Sequence, residues 1–492
     1  MRAWLLLTTG LLALAPLALA PPAWADQRFE ARVAGHAVLP AATFVAPPAD
    51  APPGFATSGR FTGPGNIRNE QRGSVMGNVG PTYGNRETGL SLPFAGQPVQ
   101  GFSGIRPATG GAGNQTPDGS YWVTSDNGFG NRRNSPDALL MIHRVRPDFA
   151  AGTVAVERTI FLSDPNRVVP FHVVTDPSPT RYLTGADFDT ESLQVAPDGS
   201  FWLGDEFGPF LIHADAQGRV LGVFETMLDG QPIRSPDHPA LQVPATPTAG
   251  VAFRARRSGG YEGMAMSPDG QTLWGLLEQP LYAPGSDQAE GAFLRLIEFS
   301  TARRAFTGRS LRYRLEPGAT AIGDFNMIDD RRALVIERDN GEGDPGLACA
   351  AGVAATSAAP LAATPAAAPA ATPAVPPAAP CFANPARFKR VYLIDLGDAD
   401  AEGYVRKIGH IDLMAMSDPD GRVRDRGAVA TDAPAGRFTF PFFTIENVAM
   451  VDADHIILGN DNNLPFSAGR HTHRADNNEL LLLRVPELLR AR

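Results

Sequence analysis

Apolar and polar residues alternate with a period of two in a series of repeated segments of this chain, which is the pattern of β-strands. Four segments repeat one plan: an acidic residue, a short apolar alternation, a turn, and a second apolar run that ends in another acid. Several of the turns read Pro-Asp-Gly, which is typical of tight hairpins. The segments begin at Asp189, Gly260, Ile322 and Thr444, and a looser copy begins at Gly101.

Two further apolar strands follow most of these copies, so each repeat predicts a four-stranded antiparallel unit. The chain is therefore predicted to be all-β, a β-propeller of five or six four-stranded blades. The last copy has three evident strands, and we expect a strand from the N-terminal run beginning at Arg28 to complete it and close the ring. A β-sandwich or two stacked β-domains is the alternative, which the uneven insertions between the repeats disfavour.

The start of the chain has the layout of a secretory signal peptide, with Arg2 before an apolar run and a small-residue cleavage site before Asp26. The alternative, a membrane anchor, is disfavoured because the run is short and Pro16 interrupts it. The predicted organisation is a signal peptide at 1–25, an N-terminal segment with the closing strand at 26–95, and the propeller at 96–490. We expect a periplasmic or secreted protein without a membrane span.

The two cysteines, Cys349 and Cys381, enclose a run of almost only Ala, Pro and Thr at 350–380. Such a run buries too little apolar surface to hold one conformation. In an oxidising compartment we expect the pair to form a disulfide that closes this insert. Two unpaired thiols or a metal pair are the alternatives, and a pair of cysteines without a nearby histidine makes a poor zinc site.

The net charge of −9 disfavours nucleic acid or an anionic membrane as a partner. The expected partner is a small-molecule substrate, and a protein partner is unknown. The sequence also lacks a Gly-x-Ser-x-Gly elbow, a P-loop and a dinucleotide-binding glycine pattern. These absences disfavour the usual serine hydrolases and nucleotide-binding folds, and no organic cofactor is expected.

The acidic residues of the repeats are predicted to meet at one mouth of the channel, because an antiparallel hairpin starts and ends at the same edge. The opening acids are Glu191, Glu262, Asp324 and Glu446. The closing acids are Asp126, Glu206, Glu278, Asp339 and Asp461. So many carboxylates repel one another unless protons, arginines or a hard cation such as Ca²⁺ relieve them. The alternative is that these acids only cap strands and turns.

Two other features could carry chemistry. Arg338 stands between Glu337 and Asp339, where it could act as a counter-ion or bind an anion. His471 and His473 form a His-x-His pair that could bind a transition metal, although a solvated loop is the favoured interpretation.

These segments resemble the phytase-like family, which is described by an esterase-like activity of phytase. The residues that carry the resemblance are Ser125 to Gly130, the Glu-Ser-Leu after Thr190, Gly259 to Ala265, Glu337 to Asp344, Lys389 to Leu396, Ile445 to Ala449, and Gly459 to Asn463. The resemblance implies a propeller whose acids act on phosphate esters. The acids that match the family are Asp126, Glu191, Glu206, Glu262, Glu278, Asp339, Glu446 and Asp461, whereas Asp324 stands where the other full copies have Glu.

The resulting hypothesis is a metal-dependent hydrolase of phosphate monoesters or diesters, with Ca²⁺ or another divalent cation. The expected metal ligands are Glu191, Glu262, Glu446, Glu278 and Asp324. The expected catalytic residues are Asp126, Glu206, Asp339, Asp461 and Arg338. A variant is metal-dependent hydrolysis of a lactone or another ester at the same site. The alternative of a different class is a non-catalytic, calcium-stabilised propeller that binds a ligand or a protein partner.

Overall fold

The structure, a computed structural model, describes residues 27–62, 77–78, 90–108, 119–241, 243–244, 246–247, 253–350, 381–427, 436–472 and 474–492. The predicted signal peptide, the Ala/Pro-rich insert beyond residue 350, and His473 lie outside these ranges. Within them the protein is nearly all β, as predicted. Helix is limited there to α1 (Pro486–Arg490) and to 3-10 turns at Pro53–Ala56 and Pro345–Leu347.

Two strands at the N-terminus, β1 (Gln27–Phe29) and β2 (Arg32–Leu39), join sheets formed by distant parts of the chain. Short strands then lead to the first repeat. They are β3 (Phe44–Val45), β4 (Thr57–Ser58), β5 (Gly77–Asn78), β6 (Ser91–Leu92), β7 (Phe94–Ala95) and β8 (Gln97–Pro98).

The described residues form five antiparallel units of four strands each, which we number in chain order. Unit 1 contains β9 (Phe102–Pro107), β10 (Tyr121–Ser125), β11 (Met141–Asp148) and β12 (Thr153–Phe161). Unit 2 contains β13 (Thr190–Val195), β14 (Phe201–Asp205), β15 (Phe210–Ala214) and β16 (Val220–Glu225), followed by a small hairpin of β17 (Met227–Leu228) and β18 (Gln231–Pro232). Unit 3 contains β19 (Tyr261–Met266), β20 (Thr272–Leu277), β21 (Leu294–Ser300) and β22 (Ala305–Tyr313).

The last two units also recruit the N-terminal strands. Unit 4 contains β23 (Ala321–Met327), β24 (Arg332–Arg338), β25 (Lys389–Ala399) and β26 (Val405–Asp412), with β1 added in parallel. After β27 (Met416–Ser417) and β28 (Arg437–Phe438), unit 5 contains β29 (Thr444–Met450), β30 (His455–Asp461), β31 (Asn478–Arg484) and β2.

The units form a ring, because the first strand of each stands beside the first strands of its two neighbours, and β29 of unit 5 returns to β9 of unit 1. A separate buried apolar cluster fills each of the gaps between neighbouring units. The period of two explains this packing. In β24, Ala333 and Val335 face unit 3, whereas Leu334 and Ile336 face unit 5.

The N-terminal strand closes the ring as the sequence predicted. β2 runs antiparallel to β31, with Ala37 opposite Leu480, and so supplies the fourth strand of unit 5. His36 Nε2 lies 3.0 Å from Glu479 Oε2, and both side chains are fully buried. The pairing of β1 with β26 was not predicted from the sequence.

Cys349 and Cys381 are joined in a disulfide, with their Cα atoms 4.9 Å apart, as expected. The bond therefore ties together the two ends of the insert that follows β24. None of the helices in the described ranges has the length and apolarity needed to cross a membrane.

Candidate active site

The first hairpin of every unit contains a β-bulge close to its start. In units 2, 3 and 5 the bulge leaves Glu191, Glu262 and Glu446 without a partner on the second strand. By the same register, Ser103 and Gly323 hold this position in units 1 and 4. Bulges of this kind re-aim a side chain, and here they direct acids to one end of the ring.

A second set of side chains comes from the end of the second strand, which lies at the same edge as the bulge because the hairpin is antiparallel. These closing positions are held by Asp126, Glu206, Glu278, Arg338 and Asp461. The charged members of both sets line one cavity of about 220 Å³, which we call the acidic cavity. Asp189 also lines it.

Arg338 is the one positively charged side chain that lines the acidic cavity among the described residues. Its Nη2 lies 3.1 Å from Glu278 Oε1, 3.5 Å from Glu446 Oε1 and 3.6 Å from Glu262 Oε1. The guanidinium carbon is also 5.8 Å from the centre of the Phe443 ring. Burial alone would lower the pKa of Arg338, but these carboxylates raise it above its usual range, so the group stays charged.

Three acids of the cavity also accept hydrogen bonds from neutral donors. Ser103 Oγ donates to Glu446 Oε2 at 3.1 Å. Asp461 accepts from the Asn463 backbone at 2.6 Å and from Thr444 Oγ1 at 3.2 Å. Asp126 Oδ1 accepts from Gln100 Nε2 and from the Gly128 backbone, each at 2.8 Å. These bonds fix the carboxylates in place without neutralising them.

The crowding of acids changes their protonation. Burial raises the pKa of Asp126, Glu191, Glu206 and Glu262 well above the ordinary range, and neighbouring carboxylates add to the effect. Burial raises the pKa of Glu446 to about 7, although Arg338 opposes it. The pKa of Asp461 rises to about 8 through burial and the charge of Glu446. In the absence of a cation, the cavity therefore holds protons at neutral pH.

Two of the predicted site residues, Asp324 and Asp339, do not line the cavity. In unit 4 the bulge and closing positions each fall one residue earlier than the sequence repeat predicts. Gly323 stands at its bulge, and Arg338 stands at its closing position. Asp339 instead accepts from the backbones of Arg387 and Phe388 at 2.8 and 3.1 Å. Its Oδ1 lies 3.1 Å from Nζ of the fully buried Lys389. The closing position, which is acidic in the other four units, is therefore held by an arginine in unit 4.

Asp324 joins three inner strands inside the ring. Its Oδ2 accepts from the Val448 backbone of β29 at 3.0 Å and from the Ile105 backbone of β9 at 3.4 Å. Its Oδ1 accepts from the Phe325 backbone at 2.8 Å, and the side chain is fully buried. These contacts give Asp324 a structural role.

Replacing Asp324 by Ala should therefore lower the free energy of unfolding by about 3 kcal/mol, because buried N–H groups lose their acceptor. Denaturant unfolding of the purified protein measures this loss. Asp330→Ala is the matched control, since Asp330 is exposed in the turn between the same two strands. Equal stability of the two variants would contradict the structural role.

Sequence reasoning did not single out Asp189. It lies two residues before Glu191, at a position where the other full copies have Gly260, Ala321 or Thr444. Its carboxylate accepts from Asn127 Nδ2 at 2.7 Å and from the Asn127 backbone at 3.1 Å. The acidic residue at this position of the repeat was the signal in the sequence that could have identified Asp189.

His471 of the predicted His-x-His pair does not line the acidic cavity and contacts Asp425 at 2.9 Å.

The oxygen-rich lining has the donor chemistry that hard divalent cations prefer. Glu206 Oε1 and Glu262 Oε1 are buried and have no hydrogen-bond partner in the described part of the chain. However, no three His, Cys, Asp or Glu side chains of the described residues already stand in an arrangement that could hold a metal ion. The residues present fit a cation chemically, and binding one would require carboxylates to turn.

The phytase-like family, described by the esterase-like activity of phytase, matches residues 97–464, which is most of the chain. The chain belongs to the phytase-like family. Both strands of all five inner hairpins fall within the matched range of this phytase-like protein, and so does every residue of the acidic cavity except Phe466.

The phytase-like chain is also similar to more distant proteins. An uncharacterized secreted protein of Arthroderma benhamiae is 29% identical over 111 residues, which is 20% of this chain and 20% of that relative. A luciferin-regenerating enzyme is 10% identical, with 78% of this chain and 77% of that chain covered and a TM-score of 0.30. The calcium-binding protein regucalcin of Agrobacterium tumefaciens is 10% identical, with 78% and 92% covered and a TM-score of 0.32. Structural likenesses this remote carry no argument about activity.

Proposed function

We propose that this phytase-like protein is an exported, divalent-cation-dependent hydrolase of phosphate esters, with its reaction in the acidic cavity. The single observation that supports this most is the convergence of eight carboxylates and one arginine in a buried space of about 220 Å³. We also propose that the five units are the blades of a five-bladed propeller, with the family domain at 96–490. The disulfide and the secreted relative support export to the periplasm or the medium.

The three bulge acids, Glu191, Glu262 and Glu446, with Glu278 beside them, would hold the cation, for which Ca²⁺ is our first choice. A bound cation of this kind polarises a phosphoryl oxygen and makes a bound water more acidic. Arg338 would bind a second phosphoryl oxygen through its guanidinium, which is held by Glu278 at 3.1 Å. A phosphate ester would otherwise be repelled by the carboxylates, so cation and arginine together explain how an anion enters.

Two closing acids would move protons. Asp461 is fixed by the Asn463 backbone and Thr444 and would take a proton from the attacking water. Asp126, whose Oδ1 accepts from Gln100 and from the Gly128 backbone, would donate a proton to the departing alcohol oxygen. Glu206, with an unpartnered Oε1, is the third proton-binding group beside them.

The test is hydrolysis of a chromogenic phosphomonoester and a chromogenic phosphodiester by the purified mature protein, with added Ca²⁺, Mg²⁺ or Mn²⁺ and after chelation. We expect turnover of at least one ester that is lost on chelation and restored by the cation. Failure to cleave either ester with any cation would contradict the proposal. If Ca²⁺ still raised the melting temperature, and Glu262→Gln removed that effect, the non-catalytic propeller would be the better interpretation.

A further inference from the structure

A second and larger concavity lies directly beside the acidic cavity. It has a volume of about 1210 Å³, and we call it the outer cleft. Gly130, Asn131 and Ser258 line both spaces, so the two are neighbours across these residues. A molecule seated in the acidic cavity could therefore extend into the outer cleft without crossing the core.

The outer cleft has the opposite charge character. Arg132, Arg133 and Arg257 line it, together with Asp187 and Asp237. Burial raises the pKa of Asp187 to about 6, which reduces its negative charge in weakly acidic solution. The cleft therefore carries a net positive charge next to a cavity dominated by carboxylates.

Two of the arginines are held in position by one residue, Asp237. Arg132 donates to its backbone carbonyl and, at 2.9 Å, to the carbonyl of Ala186. Arg257 donates to its carboxylate and also contacts the carbonyl of Val243 at 3.4 Å. A guanidinium has more N–H donors than the two that each side chain uses in these bonds. The remaining donors can bind an anion in the cleft.

The cleft also has an apolar wall. The Phe207 ring is buried beneath Arg132, with the guanidinium carbon 5.6 Å from the ring centre, and the half-buried Phe61 lines the cleft beside it. Val174, which lines the cleft, is 45% exposed and is one of two large apolar side chains of the described residues with such exposure. Covering this surface with a planar apolar group would be favourable.

We propose that the outer cleft binds an organic anion with a planar apolar body, as the part of the substrate beyond the ester bond. This assignment rests on the proposed function, because only a reaction in the acidic cavity makes the bound group a leaving group. The opposite charges of the acidic cavity and the outer cleft would orient the substrate. Its reacting phosphoryl group would lie at the cation and Arg338, and the negative charge on the rest of the substrate would lie at Arg132 and Arg257. The substrate class is then an aromatic or similarly planar ester that carries a further negative charge.

The test is calorimetric titration of the whole mature protein, in chelator, with naphthalenesulfonate, with neutral naphthol and with inorganic sulfate. We expect saturable binding of naphthalenesulfonate only. Arg257→Gln should weaken it about tenfold, because a hydrogen bond to a charged donor is lost. Val174→Glu should abolish it by repulsion. Arg303→Gln, an exposed change between β21 and β22, is the control and should bind as the parent does.

Three outcomes would overturn the assignment: no saturable binding of naphthalenesulfonate, equal binding of sulfate or naphthol, or unchanged affinity in both Arg257→Gln and Val174→Glu. The titration does not depend on hydrolysis. If binding behaves as expected but no ester is cleaved, the proposed hydrolysis fails and the cleft remains a binding site for such anions. If hydrolysis occurs without this binding, only the cleft assignment fails.

Discussion

Replacing Glu446 by Gln should lower kcat for phosphate-ester hydrolysis about a hundredfold or more, which corresponds to about 2.7 kcal/mol of transition-state stabilisation. Glu446 is a bulge acid that contacts Arg338 at 3.5 Å and accepts from Ser103 at 3.1 Å. Gln keeps the size of the side chain and can still accept from Ser103, but it removes the negative charge. The variant should also need more Ca²⁺ to reach its full melting temperature, which a thermal titration measures.

Glu298→Gln is the control for this experiment, because Glu298 lies on β21 and pairs with Arg309 away from the acidic cavity. It should retain the activity and the Ca²⁺ response of the parent. A fully active Glu446→Gln variant with unchanged cation dependence would contradict the placement of the reaction at the bulge acids.

The second large effect is expected from Arg338→Gln in chelator at pH 8, where the free energy of unfolding should fall by about 3–5 kcal/mol. Glu446 and Asp461 have folded-state pKa values of about 7 and about 8, above the ordinary carboxyl range near 4. A group with a raised pKa adds stability below its unfolded pKa and loses that contribution as the pH rises through the folded pKa. The parent should therefore also lose stability between about pH 4 and 8.

Removing Arg338 should deepen this loss, because the ionised carboxylates then have no positive neighbour among the lining residues. At pH 5 the same substitution should cost less, since most of the cavity acids are protonated. Saturating Ca²⁺ should recover part of the stability at pH 8. The control is Arg331→Gln, whose side chain is exposed and pairs with Asp395 on the outer part of the same sheet. A loss that is equal at both pH values would contradict the electrostatic explanation.

Most of the strand order could be predicted because it is carried by local signals. The period of two, the hairpin turns and the recurrence of acids at both ends of the hairpins predict the four-stranded units and their ring. The closing strand was also predictable, because the last repeat has one strand too few. The pairing of β1 with β26 was not, since a three-residue strand has no pattern of its own.

The acids were placed well where the register of the repeat is regular and less well in unit 4. The interval from Asp324 to Asp339 is 15 residues, the same as the interval from Glu446 to Asp461 in unit 5. A shift of both residues by one position therefore leaves no trace in the spacing. Only the strand register shows that Gly323 and Arg338 hold the two positions.

The outer cleft was also beyond sequence reasoning, because its walls come from loops far apart along the chain. Phe61, Arg132, Val174 and Arg257 all line it, yet no local pattern links these residues. Their proximity follows from the packing of units 1, 2 and 3 side by side, which brings separate loops to one edge.

The closing strand sets an order of events for making this protein. Residues 32–39 are synthesised long before their partner β31, which is residues 478–484. Unit 5 therefore cannot be completed, nor the ring closed, until β31 has been synthesised. If the chain crosses a membrane unfolded, β2 would remain unpaired during translocation. The ring would then close only on the far side, after β31 has also crossed.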